Sequence, residues 1–459
     1  MSLHKKSWLW IYAISLVVCF FFFSHTDALF TNAQSYTFFE HAANFYDYSL
    51  THIGVVGYLP SIFLILAIWN SPFQILDILK SNQIENWAMN LDVYAGLSHL
   101  DYFIFISWYK ILLIILSIFS IYLLKKISNL VPNNNLDSGL IFATSPFAIF
   151  SILIFSGYDI LIVSSVLLGF YYYLKKDLLR FSLYFSLAIT FKFFALIIFI
   201  PLLLLAEKRI EKLIKYFLIG ASFSSIYILA FSHNITFFES ISFVAKQKLN
   251  LSFSSIFKAL FLLAYFVLCI YCFKTNIKLK VVFFKYAIFI AYISCLPLFF
   301  AIKWHPQWIL LLIPFMSLSY IYIKDLNKIF WVELMGFISY TYLITHIWVN
   351  NVDQKMITQG PLSFLIPQPQ QSISNLFASP LLKTLSILIL YTYLLHPLLL
   401  LYFTKNKPKI KSGFLTIHKR FIFVFFFIFP SLLCLAIDSS YNLDIYKKSL
   451  RCIYQACEN

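Results

Sequence analysis

Apolar runs of about 20 residues recur from one end of this chain to the other, and that is the length a helix needs to cross a hydrocarbon core of roughly 30 Å. A soluble core cannot bury so many of them. A bilayer can, because a helix satisfies its own backbone hydrogen bonds there. Of 459 residues, 61% are hydrophobic and 12% are charged, whereas about 25% of an ordinary soluble domain is charged. The expected fold class is an all-α polytopic membrane protein with about 11–13 transmembrane helices and a long external first loop carrying interfacial helices. Residues 1–440 are expected to form one transmembrane domain and residues 441–459 an external tail.

The net charge of +16 does not point to nucleic acid. The basic residues sit in short loops between apolar runs, where they report orientation. One assignment puts most of them on the cytoplasmic side. Helix one leaves the cytoplasm at Lys5 and Lys6, an external segment runs over residues 25–102, and the next helix returns at Lys125 and Lys126. The clusters at Lys175 to Arg180, Lys208 to Lys215, Lys274 to Lys285, Lys324 with Lys328, and Lys405 to Arg420 then fall inside. That parity makes Gly57 to Leu76, interrupted by Pro60, Asn70, Ser71 and Pro72, an interfacial helix. It also makes Phe181 to Leu205 a hairpin of two short helices with Lys192 at its tip. The Gln-, Pro- and Ser-rich stretch 350–379 is expected to cap the external face.

The apolar run after Lys6 is too long for a secretory signal and has no small-residue cleavage site, so it reads as an uncleaved helix. The cysteines show no metal-ligand spacing. Cys452 and Cys457 lie in the polar tail, where an oxidising compartment permits a disulfide.

Chemistry in such a chain is sought where polar groups lie at helix ends or inside apolar runs, because burying them unpaired costs several kcal/mol. Asp27, Glu40, Asp47, Asp77, Glu85, Asp92 and Asp101 all fall in the first external segment. Asp159 lies in a tight turn at Ser156-Gly157-Tyr158-Asp159. Lys303-Trp304-His305-Pro306-Gln307-Trp308 forms another turn, with Pro314 beyond it. Each has a plain reading: Asp159 as a helix cap, Lys192 snorkelling to an interface, His305 in an aromatic belt. Taken together, a carboxylate, a lysine and a Lys/His pair in one outward-facing pocket suit a lipid-linked phosphosugar. Cations neutralise the phosphate, and the carboxylate takes a proton from an attacking hydroxyl.

These residues, in this order, resemble the GT-C superfamily of polyprenyl-phosphate-sugar-dependent glycosyltransferases. Within it they are most similar to the branch containing the first mannosyltransferase of GPI-anchor synthesis and its bacterial relatives. Tyr36 with Glu40 to Ala43, then Gly57-Tyr58-Leu59-Pro60, looks like that branch's first-loop acid followed by Tyr-Pro-Pro. Ser145-Pro146 with Gly157-Tyr158-Asp159 is similar to Asn-Pro…Gly-x-x-Asp, and Thr190-Phe191-Lys192 with Pro201 to its lysine motif. Lys303 to Trp308 with Pro314 is similar to Lys-x-His-Pro-Gln-Tyr…Pro. The chain departs from the pattern at Leu59, Ser145 and Trp308, and the likeness covers roughly the first 320 residues.

The resemblance implies an inverting transfer from an isoprenoid phosphate on the external face. Asp27 or Glu40 would be the general base, with Asp27 better placed at the helix exit. Lys192, Lys303 and His305 would hold the donor phosphate, and Asp159, Gln307 and Tyr58 would orient acceptor or lysine. The implied partners are a polyprenyl-phosphate-linked sugar, a glycan or lipid-linked acceptor such as O-antigen, and membrane lipids. A divalent cation is compatible with the scheme, and no ligand set demands one. The bacterial inner membrane is the expected location. A transporter or lipid flippase is the alternative, but 10 glycines in 459 residues and no internal repeat fit it poorly. An O-antigen polymerase ranks third, since Arg451 is the one arginine expected outside.

Overall fold

The computed structural model describes residues 3–90, 97–131, 134, 136–250, 255–277, 279–301, 304–322, 326–348, 352, 356, 359–365, 378–403 and 420. Among them the chain is helical with no strand, the architecture of an integral membrane protein. Helix α1 (Leu3–Phe22) turns through 60° into α2 (Thr26–Tyr36). Then come α3 (Phe45–His52), α4 (Pro60–Ile75), α5 (Ser81–Asn90) and the 31-residue α6 (His99–Asn129). Two short helices, α7 (Ser138–Ala143) and α8 (Pro146–Ile149), lead into a π-helical turn at Phe150–Ile154. Next are α9 (Asp159–Leu174), α10 (Leu178–Phe191), α11 (Phe194–Ala206), α12 (Ile210–Ala230), α13 (Ile235–Asn250), α14 (Ser255–Lys274) and α15 (Lys280–Cys295). The chain closes with α16 (Leu298–Ala301), a 3-10 turn at Pro306–Leu311, α17 (Ile313–Ser319), α18 (Leu326–Ile347) and α19 (Pro380–Phe403).

Four helices among the described residues are long and apolar enough to cross a membrane alone: His99–Asn129, Ile210–Ala230, Val281–Phe300 and Pro380–Leu399. The bent pair α1–α2 passes the same test jointly, and six further apolar helices are 10–17 residues long. The apolar runs of the sequence are therefore more divided than their length suggests. Pro146, Pro306 and Pro314 each open a new segment, where a missing N–H costs nothing. Ser156 adopts a left-handed φ of 58°, which ends the π-helical turn before α9 begins.

The expected hairpin at Lys192 is present as geometry. The ring of Phe199, in α11, lies 5.1 Å from Phe181 and 5.4 Å from Phe185, both in α10. The two helices therefore run back along each other, with Lys192 extended between them at φ −161° and ψ 126°. α9 is antiparallel to α10 as well, since Tyr173 near its end packs at 5.0 Å on Phe181 near the start of α10. The polar residues interrupting the α4 run are used for packing: Asn70 donates to Asn32 Oδ1 and Ser35 Oγ, each at 2.9 Å, and Gln74 donates to Tyr36 O at 2.6 Å. These bonds dock α4 on α2. Ser61 Oγ donates to Thr190 O at 2.8 Å, which brings α4 to the tip of the hairpin.

The described part of the 350–379 stretch closes over the α1–α2 bend. Leu362 N donates to Phe21 O at 2.8 Å and Ser24 N to Met356 O at 2.9 Å. A Cβ on Gly360 would fall 2.2 Å from the carbonyl carbon of Phe22, so this approach demands glycine. Cys434, Cys452, Cys457 and the tail 441–459 lie outside the described residues.

Candidate functional site

Three breaks in helical structure meet at one place: the α1–α2 bend, the turn before α9, and the α10–α11 tip. Asp159, the first residue of α9, and Lys192, at the end of α10, are brought together because those helices are antiparallel neighbours. Lys192 Nζ donates to Asp159 Oδ1 at 2.6 Å, with side-chain exposures of 8% and 0%. Both charges are thus withdrawn from solvent, and each needs the other. The ammonium also lies 5.4–6.0 Å from the ring centres of Tyr58, Tyr158, Phe194 and Trp308, close enough for cation–π attraction. Asp159 Oδ2 is buried and has no hydrogen-bond partner among the described residues.

Tyr58 joins this pair to the acid at the bend. It packs edge-on against Tyr158 at 5.3 Å. Burial pushes the Tyr58 hydroxyl up; Lys192 pulls it down, and the charges of Asp159 and Asp27 push it up. The phenol thus sits within the field of both carboxylates and of the lysine.

Asp27 is in the first turn of α2, where the helix dipole favours a carboxylate. His25 caps that helix, its Nδ1 accepting from Asp27 N at 3.1 Å. Asp27 itself is half-exposed at 48%, with His25 Nδ1 at 3.8 Å and His305 Nδ1 at 3.9 Å from its two oxygens. His305 stacks on Trp348 at 4.8 Å and lies 5.5 Å from Trp308, so the 3-10 turn presents its histidine to the acid and its tryptophan to the lysine. Gln307 is buried with Oε1 unpartnered. It nests against Gly157, where a Cβ would fall 3.0 Å from Gln307 Cβ.

Asp27, Tyr58, Asp159, Lys192, His305 and Gln307 are therefore brought together. Glu40 is not. Ser81 Oγ donates to Glu40 Oε1 at 2.6 Å on an exposed turn beyond the far end of α2. The helical rise alone puts that end roughly 14 Å along the axis from Asp27. Lys303 lies outside the described residues. Among the described residues no group of three or more His, Cys, Asp or Glu side chains is arranged to hold a metal ion.

An apolar cavity of about 460 Å³ lies below the bend, between α1, α6 and the segment from α7 to the π-helical turn. Tyr12 lines one end, and Phe20, Phe21 and Leu153 line the end near the bend. Three residues about the site carry no motif: His25, Phe155, whose ring stacks on His25 at 4.2 Å, and Lys110 in α6. Lys110 had one legible signal, a lysine inside a long apolar helix.

No protein-family model and no curated protein matches the chain. Among solved structures, the crystal structure of ArnT from Cupriavidus metallidurans bound to undecaprenyl phosphate is similar, with a TM-score of 0.46 and 10% sequence identity. The match covers 94% of this chain and 76% of that one. A likeness of that size carries no functional argument; the residues have to.

Proposed function

We propose that this protein is a GT-C-type membrane glycosyltransferase that moves a sugar from a polyprenyl phosphate to a hydroxyl of a cell-envelope glycan or lipid-linked acceptor. One observation carries the reading. A half-exposed carboxylate, Asp27, faces His305 at 3.9 Å, the same turn brings the Trp308 ring to 5.4 Å from the buried Lys192 ammonium, and an apolar cavity lined by Phe20, Phe21 and Leu153 lies near by.

The chemistry follows from the groups. The acceptor oxygen attacks the anomeric carbon, its proton passes to Asp27, and the bond from that carbon to the phosphate oxygen breaks. The leaving polyprenyl phosphate carries the electron pair. Attack opposite the leaving group inverts the anomeric centre. Lys192 and His305 stabilise the charge that develops on the phosphate, and Lys192 has three N–H donors, of which one is on Asp159. Asp159 holds the lysine head in place at 2.6 Å, which favours it as orienter of the lysine. Lys303 is two residues from His305 and is proposed as a further phosphate contact. The reading puts the site on the external face of a bacterial inner membrane, with the N-terminus cytoplasmic.

The test is transfer by purified protein in lipid nanodiscs, offered a panel of polyprenyl-phosphate sugars and acceptor glycans, beside Asp27→Asn. Removing a general base is expected to slow transfer about 10²- to 10⁴-fold. Full activity in Asp27→Asn refutes the base assignment, and no transfer from any donor refutes the transferase reading.

A further inference from the structure

Lys110 sits in the middle of α6, fully buried, and touches neither Asp27 nor Lys192. Its Nζ lies 3.0 Å from Cys19 O, 2.6 Å from Phe20 O, 2.6 Å from Phe23 O and 2.8 Å from Leu153 O. Four backbone carbonyl oxygens thus converge on one side-chain nitrogen. Cys19 and Phe20 lie in the last turn of α1, where a helix leaves its last carbonyls without internal partners, and Phe23 is the first residue beyond it. The fourth belongs to the π-helical turn, where the α-helical ladder is broken in another way. One lysine thus closes two unrelated breaks at once. Its neighbour Tyr109 donates to Ser156 O at 2.8 Å, at the left-handed residue of the second break.

Each break carries one half of the site. Asp27 follows Phe23 by four residues, and Asp159 follows Leu153 by six. We infer that Lys110 is a positioning residue: by binding carbonyls of both breaks it fixes where Asp27 stands relative to the Asp159–Lys192 pair. The stacking of His25 on Phe155 lies directly above this clamp and depends on the same spacing. What is being positioned rests on the transferase reading; the clamp does not.

Two readouts separate these. Ser24, in the bend, is fully buried, and Ser24→Cys places a thiol there with little change in size. In full-length protein in detergent, its labelling by a membrane-impermeant maleimide, above the background of the native cysteines, reports opening of the bend. With Lys110 or Lys110→Arg labelling stays slow; with Lys110→Met it is expected to rise at least about tenfold, as a local opening does when its closing contacts go. Should Lys110→Met fail to fold, Lys110→Gln takes its place and must label faster than Lys110→Arg. Equal rates overturn the inference. In the transfer assay kcat is expected to fall in Lys110→Met and to recover in Lys110→Arg, while KM for the donor stays within about twofold. A rise in KM with kcat intact overturns the positioning role. If labelling responds but the unsubstituted protein transfers no sugar, the clamp stands and the transferase reading falls.

Discussion

Cutting the Lys192–Asp159 pair from either side should have unequal effects, and the inequality can be worked from the geometry. Asp159 has one oxygen on Lys192 and the other buried without a partner among the described residues. Lys192→Met therefore strips the carboxylate of its described support, and breaking a buried pair in this way costs about 3–5 kcal/mol. Asp159→Asn leaves an ammonium among four aromatic rings, and desolvated cation–π attraction returns up to about 2 kcal/mol. Its cost should be about 1–3 kcal/mol. The double variant has no unpaired charge and should lie within about 1 kcal/mol of the parent, because replacing a buried pair by uncharged groups is often neutral. Unfolding in mixed micelles titrated with SDS measures all four proteins, and transfer should be lost in all three variants, the stable double included. Additive costs in the double would show that the two charges are not coupled, and the argument for a shared, preorganised pair would fail.

Other expectations follow from single contacts. Asp27→Asn should lose transfer while Glu40→Gln stays within about threefold of the parent, since general-base loss costs at least 10²-fold; equal losses would restore Glu40 as a candidate. Gly157→Ala should cost about 1–3 kcal/mol by overpacking, because the new methyl meets Gln307 Cβ at 3.0 Å and Ser151 O at 3.2 Å; an unaffected protein would mean that turn and Gln307 are not in contact. Ser156→Gly should leave stability unchanged or raise it by up to about 1 kcal/mol, since a non-glycine residue at φ 58° is strained, and a large loss of stability would contradict the left-handed turn. The Tyr48 hydroxyl, outside the membrane-spanning helices, is pushed up to about 12 by burial and by its hydrogen bond to Glu85. A raised folded value contributes stability below the unfolded value near 10 and loses it as pH climbs toward 12. Glu85→Gln should lower the pH at which Tyr48 ionises, read as absorbance difference against Tyr48→Phe, and no change would contradict that bond.

The class of fold was legible because apolar run length is a direct measure of bilayer crossing, and the hairpin at Lys192 because charge on both of its ends left no other parity. What could not be read was which contacts hold the helix breaks in place. Phe23 to His25 and Phe150 to Ser156 contain no proline, and their breaks exist because Lys110, Tyr109 and Leu362 accept the cost from elsewhere in the chain. That is tertiary information, invisible to local pattern. The candidate residues were singled out by polar positions in apolar runs and by motif spacing, which left Asp27 and Glu40 both open as the proposed base. The choice needed the length and direction of α2. The pairing of Lys192 with Asp159, rather than with an external phosphate alone, needed the antiparallel packing of α9 and α10.

The central claim is that one chamber gathers a phosphate, a sugar and a base at the α1–α2 bend. A structure of the protein with a polyprenyl phosphate bound tests it most directly. The account predicts phosphate oxygens in hydrogen-bonding reach of Lys192 and His305, the tail entering the cavity between α1 and α6, and the Asp27 carboxylate open beside the phosphate. A phosphate held away from both cations, or at the opposite membrane surface, would contradict it.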